Sequence, residues 1–261
     1  MTPLDAAHGA MAEAPEDDAA RLRFFAQLAD TPLLLLLETE AAGDTLTPQL
    51  FPLDSGPVVL AFDADDRLTA FTGAPAPYAE VPGRVIAALL AGQGIGLGLN
   101  LGVAPSSFLI GTEGIDWLAA TLARGPETAE ARPESFQAPA GLPEALIAAL
   151  DGKLARAGGL AQAALLAGVS YAGGRRGHLL AFVDAAPGAE AALARAAGEA
   201  LTFSGIEAGE MDVVFLTAQD PALPPLARVA LRFELPPPAA APAAPGPVAP
   251  GSDPGRPPRL R

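Results

Sequence analysis

The stretch from Gly92 to Gly102, Gly-Gln-Gly-Ile-Gly-Leu-Gly-Leu-Asn-Leu-Gly, constrains this chain more than any other. From Gly94 to Leu99 glycine alternates strictly with Ile95, Leu97 and Leu99. That is the two-residue period of a strand, not the 3.6-residue period of a helix. One face of such a strand is bare backbone. Glycine in a strand costs entropy and packs no side chain, so three on one face predict that a helix or a ligand approaches the sheet closely there. Gly94, Gly96, Gly98 and the following Asn100 are therefore the candidate binding surface.

Sharper readings of the stretch fit less well. A dinucleotide fingerprint needs G-x-G-x-x-G after a strand and opening a helix. Here the sixth positions are leucines, and the apolar run from Val85 to Ala91 puts a helix before the glycines. A phosphate-binding loop needs Gly-Lys-Ser or Gly-Lys-Thr, and the sole lysine is Lys153. The 28 uncharged residues between Arg84 and Glu113 are long enough to span a bilayer, and they contain G-x-x-x-G spacings. Gln93, Asn100, Pro105 and the serines oppose that reading, and each interior glycine costs a helix about 1 kcal/mol relative to alanine. A helix capped at Gly92 followed by a buried strand from Gly94 to Leu101 accounts for every glycine.

The chain has 261 residues, half of them hydrophobic, enough for two cores and a tail. It has no cysteine, which removes disulfides, thiol nucleophiles and Cys-based metal sites. The net charge of -14 is concentrated in residues 1 to 140, with 19 acidic against 6 basic side chains. Such a surface repels a phosphate backbone, so nucleic acid is not an expected partner, and the glycine alternation, which fits a sheet, argues against a membrane. The first residues lack the basic region and apolar run of a secretory signal, and the expected compartment is the cytoplasm.

In order, Thr2-Pro3 opens a helix with Leu4, Ala7, His8 and Met11 on one face, and Pro15 to Asp18 open a second with Leu22, Phe25 and Ala29. Leu33 to Leu37 reads as a buried strand. Gly43-Asp44 and Asp54 to Pro57 then turn an antiparallel meander through Leu46 to Leu53 and Val58 to Phe62. Asp63, Asp65 and Asp66 read as a solvated turn, since the spacing lacks the glycine and final acid of a calcium loop. A loop over Gly73 to Pro77 leads to a helix from Pro82-Gly83, the glycine strand, a strand at Ser107 to Ile110 and a helix from Thr112. Residues 1 to 126 form the first domain and 127 to 140 a linker.

The second domain, 141 to 235, reads as a helix from Pro143, a strand from Ala161 to Tyr171, a glycine hairpin and a strand from Leu179 to Val183. A helix from Pro187 and strands at Asp212 to Thr217 and Arg228 to Leu235 follow. This αββαββ order suggests a permuted ferredoxin-like sheet. Both domains are thus expected to be α+β, each a mainly antiparallel sheet with helices packed on it. Residues 236 to 261 are Pro- and Ala-rich and expected to be disordered.

Gly168-Val169-Ser170-Tyr171-Ala172 approximates a nucleophile elbow with His178 nearby, but its strand-to-strand setting is wrong for one. Arg175 and Arg176 read as exposed hairpin charge. No catalytic, metal or cofactor residues are assigned, and no cofactor is called for.

Particular residues do resemble a known family. Leu33 to Leu37, Phe51-Pro52-Leu53, Val58-Val59-Leu60-Ala61-Phe62 and Gly94-Ile95-Gly96-Leu97-Gly98-Leu99-Asn100 resemble the SseB family, named for enhanced serine sensitivity. The first domain is similar to its N-terminal domain and the second, less specifically, to its C-terminal domain. The resemblance carries over no catalytic residue. The scarcity of histidine, the absence of cysteine and the single lysine favour a non-enzymatic module that binds an unidentified protein or small ligand. The alternative is an enzyme or accessory of serine or sulfur metabolism using carboxylates and hydroxyls.

Overall fold

The computed structural model describes residues 1–41, 46–124, 133–204 and 211–237. The turn expected at Gly43-Asp44 lies outside them, as does the tail beyond Pro237. The described chain is α+β, with two sheets that each carry their own helices.

The first unit runs α1 (Pro3–Glu13), α2 (Asp18–Asp30), β1 (Pro32–Leu36), β2 (Phe51–Leu53), β3 (Gly56–Phe62), α3 (Asp65–Thr72), β4 (Tyr78–Pro82), α4 (Gly83–Leu90), β5 (Gly96–Leu99), β6 (Phe108–Ile110) and α5 (Thr112–Ala123). The sheet order is β4-β1-β3-β5-β6, with β2 also on β3, and every pairing but β3 with β5 is antiparallel. The leucine run of β1 is continuous because both faces are buried. Leu33, Leu35 and Leu37 join the core under α1, α2, α4 and α5, while Leu34 and Leu36 join a second core with Val58, Leu60, Phe62 and Leu68 of α3.

Several expectations for this unit need correcting. The aspartate turn is instead the start of α3, the following loop leads into strand β4, and the glycine strand covers only Gly96–Leu99. Of the strand expected over Leu46 to Leu53, only Phe51–Leu53 and a bridge from Pro48 to Leu37 are formed.

The second unit runs β7 (Pro133–Gln137), α6 (Glu144–Ala155), β8 (Ala163–Tyr171), β9 (Arg176–Val183), α7 (Glu190–Phe203), β10 (Met211–Leu216), α8 (Leu223–Ala227) and β11 (Leu231–Glu234). Its order is β10-β9-β8-β11, with β7 following β11 along the same edge of β8. The described part of the expected linker is therefore strand β7, and α8 precedes a shortened last strand. In a permuted ferredoxin-like sheet β11 would stand between β10 and β9. Here α7 carries the chain over to lay β10 parallel against β9, and β11 takes the far edge. Leu146, Leu150 and Leu154 of α6 and Leu193, Ala197 and Ala200 of α7 cover one face, packing on Leu166, Leu180 and Phe182. Leu226 of α8 covers the other.

Candidate functional site

The four residues singled out from sequence do not form a surface. Gly94 is exposed, sits in the turn after α4 with φ +69°, and has no atom near enough to crowd a side chain. Gly96, Gly98 and Asn100 are buried. A β-carbon at Gly96 would lie 2.7 Å from the Ile110 carbonyl oxygen, and one at Gly98 would lie 2.5 Å from Leu60 Cδ2 and 2.6 Å from Leu101 Cδ1. Close approach is thus the reason for the glycines. What approaches is the neighbouring strand and Leu101, part of the apolar cluster packed on that face.

The chemistry at this strand lies at its end. β3 and β5 run parallel, so Asp63 and Asn100 emerge side by side beyond Phe62 and Leu99. Asn100 has φ 46°, a left-handed conformation that asparagine tolerates better than most residues. Its backbone N–H donates to Ala61 O at 2.9 Å, and its Oδ1 accepts from the Asp63 N–H at 3.2 Å. Its Nδ2 donates to Asp63 Oδ1 and to Ser106 Oγ, both at 2.9 Å.

Helix α1 closes this group from above. Thr2 caps α1 and pairs reciprocally with Asp5, a capping box that leaves one carboxylate edge turned inward. Ser106 Oγ donates to Asp5 Oδ1 at 2.6 Å, and Thr2 Oγ1 donates to Asp63 Oδ2 at 2.6 Å. Arg67, one turn beyond Asp63 on α3, bridges Asp63 at 2.7 Å and Asp5 at 2.5 Å. The Arg67 hydrogen bonds hold the Asp5 carboxyl far below the usual carboxylate range against the opposing effect of burial. Among the described residues no buried side-chain nitrogen or oxygen lacks a partner. The knot is internally complete.

A second charged cluster joins the two units. Asp30, at the end of α2, accepts from Lys153 at 2.7 Å, from Arg156 at 2.8 Å and from Arg84. Glu199 of α7 accepts from Arg84 at 2.9 Å and Lys153 at 2.6 Å. Burial pushes both carboxyls up, but the surrounding cations outweigh it and both lie below their ordinary values. Lys153, the only lysine, is 9% exposed between the two carboxylates. Phe203 of α7 extends the junction into the first unit's core and meets the Trp117 ring edge-on.

Beside this clasp a cleft of about 330 Å³ opens between α1 and α2 on one side and α6 and α7 on the other. Eight of its fifteen lining residues are alanine, so facing helices present too little side chain to close it. Arg23, Lys153 and Arg156 also line it, with Asp30 as its one carboxylate.

Other chemistry-bearing residues serve the fold. His8 packs edge-on against Phe24 and Phe108, at 5.7 and 5.4 Å between ring centres. His178 lies within β9 opposite Gly168, and its Nε2 meets Ala140 O at 3.1 Å. Arg175 is not mere surface charge. Its guanidinium lies 4.2 Å over the Tyr171 ring and 2.8 Å from Asp212, which also accepts from the Tyr171 hydroxyl. Burial and that carboxylate push the Tyr171 phenol up. Among the described residues no group of three or more His, Asp or Glu is placed to hold a metal ion. No helix among them is long and apolar enough to cross a membrane.

Neither the knot nor the clasp was legible as a site. Asp63 and Arg67 are spaced i, i+4, but that spacing carries meaning only once α3 is known. Asp30, Lys153 and Glu199 are brought together across 169 residues by tertiary structure alone.

The sheets, the knot and the clasp together define a two-unit α+β protein with a cationic cleft at the junction. The first unit matches the family model described as the SseB protein N-terminal domain over residues 4–117. That match reaches from α1 into α5 and takes in the whole glycine strand and every member of its knot but Thr2. No curated protein and no solved structure matches the chain.

Proposed function

We propose that this chain is an SseB-family, non-enzymatic binding module of the cytoplasm, and that its ligand, a small molecule or a narrow protein segment, enters the cleft between the units. The observation that carries the reading is the cleft itself. Ligand sites favour unit interfaces, apolar walls and a few convergent polar groups, and this cleft combines all three.

The groups best suited to acid-base or nucleophilic work are engaged elsewhere. Ser106 and Asp5 are buried against each other, Lys153 is pinned between carboxylates, and both histidines pack structurally. An enzyme of serine or sulfur metabolism built on Ser106 would first have to lift α1 off the knot.

The test is a thermal-shift screen of small organic compounds against the intact protein and Ala148→Leu. Ala148 is an exposed wall residue of the cleft, and leucine keeps a helix nearly as well as alanine. Compounds should raise the melting temperature of the unaltered protein, fail to raise that of the variant, and be recovered unchanged. A screen in which no compound distinguishes the two proteins contradicts the reading, as does conversion of a stabilising compound.

A further inference from the structure

We infer that the cleft takes a monocarboxylate with a short unbranched aliphatic body, the head held by Arg156 and Arg23 and the body lying on the alanine walls. This rests on the reading of the cleft as a ligand site and adds the ligand's chemical class.

Charge supplies the first argument. In a chain of net charge -14, this lining sets three cations against one carboxylate. The carboxylate, Asp30, is already shared among Lys153, Arg156 and Arg84, so it offers little to a cationic ligand. The clasp as a whole counts Arg84, Lys153 and Arg156 against Asp30 and Glu199, an excess of one positive charge. One anionic group balances it.

Donor availability supplies the second. Arg156 is 51% exposed and commits Nη1 to Asp30, which leaves the rest of its donor fork to face a ligand. Arg23 holds only a 3.4 Å contact with Asp17, both side chains about half exposed, and a pair of that kind is readily given up. Lys153 is held deeper and contributes field rather than a free donor. Two arginines lining one cleft supply donor forks that match the planar, two-oxygen geometry of a carboxylate.

The walls supply the third. Ala145, Ala148, Ala149 and Gly152 lie on one side of α6, away from Leu146, Leu150 and Leu154, which face the core. They offer methyl groups and bare backbone but no hydrogen-bonding side chain. An aliphatic chain suits such walls, and each methylene buried there should tighten binding roughly fourfold until the space is filled. A sugar or nucleotide would leave its hydroxyls unpaired.

The sole tryptophan provides a reporter. Trp117 sits 6.3 Å, ring centre to ring centre, from Phe203, whose side chain lines the cleft. The full chain is titrated with sodium butanoate, sodium hexanoate, hexan-1-ol and hexylammonium chloride at constant ionic strength, following Trp117 fluorescence and heat. Hexanoate should bind saturably, at least about tenfold tighter than either butanoate or hexanol, and hexylammonium should not bind. Arg156→Gln, which keeps the Arg84 and Lys153 bonds to Asp30, should leave a folded protein that binds hexanoate about tenfold more weakly, and Ala148→Leu should abolish binding.

Equal affinity for hexanol and hexanoate would overturn the carboxylate class while leaving the cleft as a ligand site. Absence of saturable hexanoate binding would do the same if compounds from the thermal-shift screen still discriminate Ala148→Leu. Hexanoate binding that survives Ala148→Leu unchanged would overturn both this inference and the reading beneath it.

Discussion

A β-carbon at Gly96 collides with a backbone carbonyl, whereas one at Gly98 collides with the ends of two leucine side chains. Leucine tips can rotate away and a carbonyl of the paired neighbouring strand cannot. Gly96→Ala should therefore cost more than Gly98→Ala, about 2 to 3 kcal/mol against about 1, within the usual range for overpacking. Denaturant melts of the two variants check the order, and a larger loss for Gly98→Ala would contradict the packing described. Asn100→Ala removes three side-chain hydrogen bonds and puts alanine at positive φ, so a loss of about 2 to 4 kcal/mol is expected. A loss below about 1 kcal/mol would show that Asn100 is peripheral to the knot. The glycine alternation made close approach legible from sequence. Its cause was not, because Leu101 folds back over the strand it follows and the Ile110 carbonyl belongs to a strand read as separate. Asp63 was hidden for a different reason. Three aspartates within four positions look solvated until Arg67 and Asp5 are known to converge on the first of them.

At the scale of elements, α1 is held by its capping residues more than by length. Thr2 and Asp5 reach past the helix to Asp63, Arg67 and Ser106. Asp5→Asn would leave the Arg67 guanidinium with a weakened partner in a nearly dry site, and breaking a buried pair of this kind costs about 3 to 5 kcal/mol. Hydrogen exchange should then rise across α1 and α3 together. A rise confined to α1 would show that the two are not coupled through the knot. Elements with a strong apolar pattern were readable: β1 from its four consecutive leucines, β8 and β9 from their hydrophobic runs, and α6 and α7 from their stripes. Those that were missed lack such a period. Strand β7 exposes four of its five residues, β4 is bounded by prolines, and α8 is a five-residue turn with two prolines. Their positions are set by partners, β8 and β1 for the strands and the sheet face for α8, rather than by their own composition.

For the molecule as a whole, Phe203 inside the first unit's core and the five-residue clasp tie the two sheets together. Calorimetry of the intact chain should show one cooperative transition at neutral pH. Two resolved transitions would mean that the clasp contributes little. The clasp also sets an acid limit. Asp30 and Glu199 are depressed from ordinary values of 3.8 and 4.5. The stability they contribute is therefore fully present above those values and is lost as pH falls below about 4.5 and through the lowered pKa of each group. Glu199→Gln should lower the melting temperature at pH 7 and make it fall less steeply between pH 5 and pH 3, in scans read by circular dichroism. An acid limb as steep as in the unaltered protein would remove Glu199 from the account.

The claim that ligands meet this protein at the junction of its units, and not at the glycine strand, is tested most directly by amide chemical-shift mapping with sodium hexanoate. Saturable shifts should cluster along Ala20 to Asp30 of α2 and from Ala145 of α6 to Arg156 at its end, with Gly96 to Asn100 unmoved. Shifts centred on Gly96 to Asn100 that leave α6 silent would contradict it.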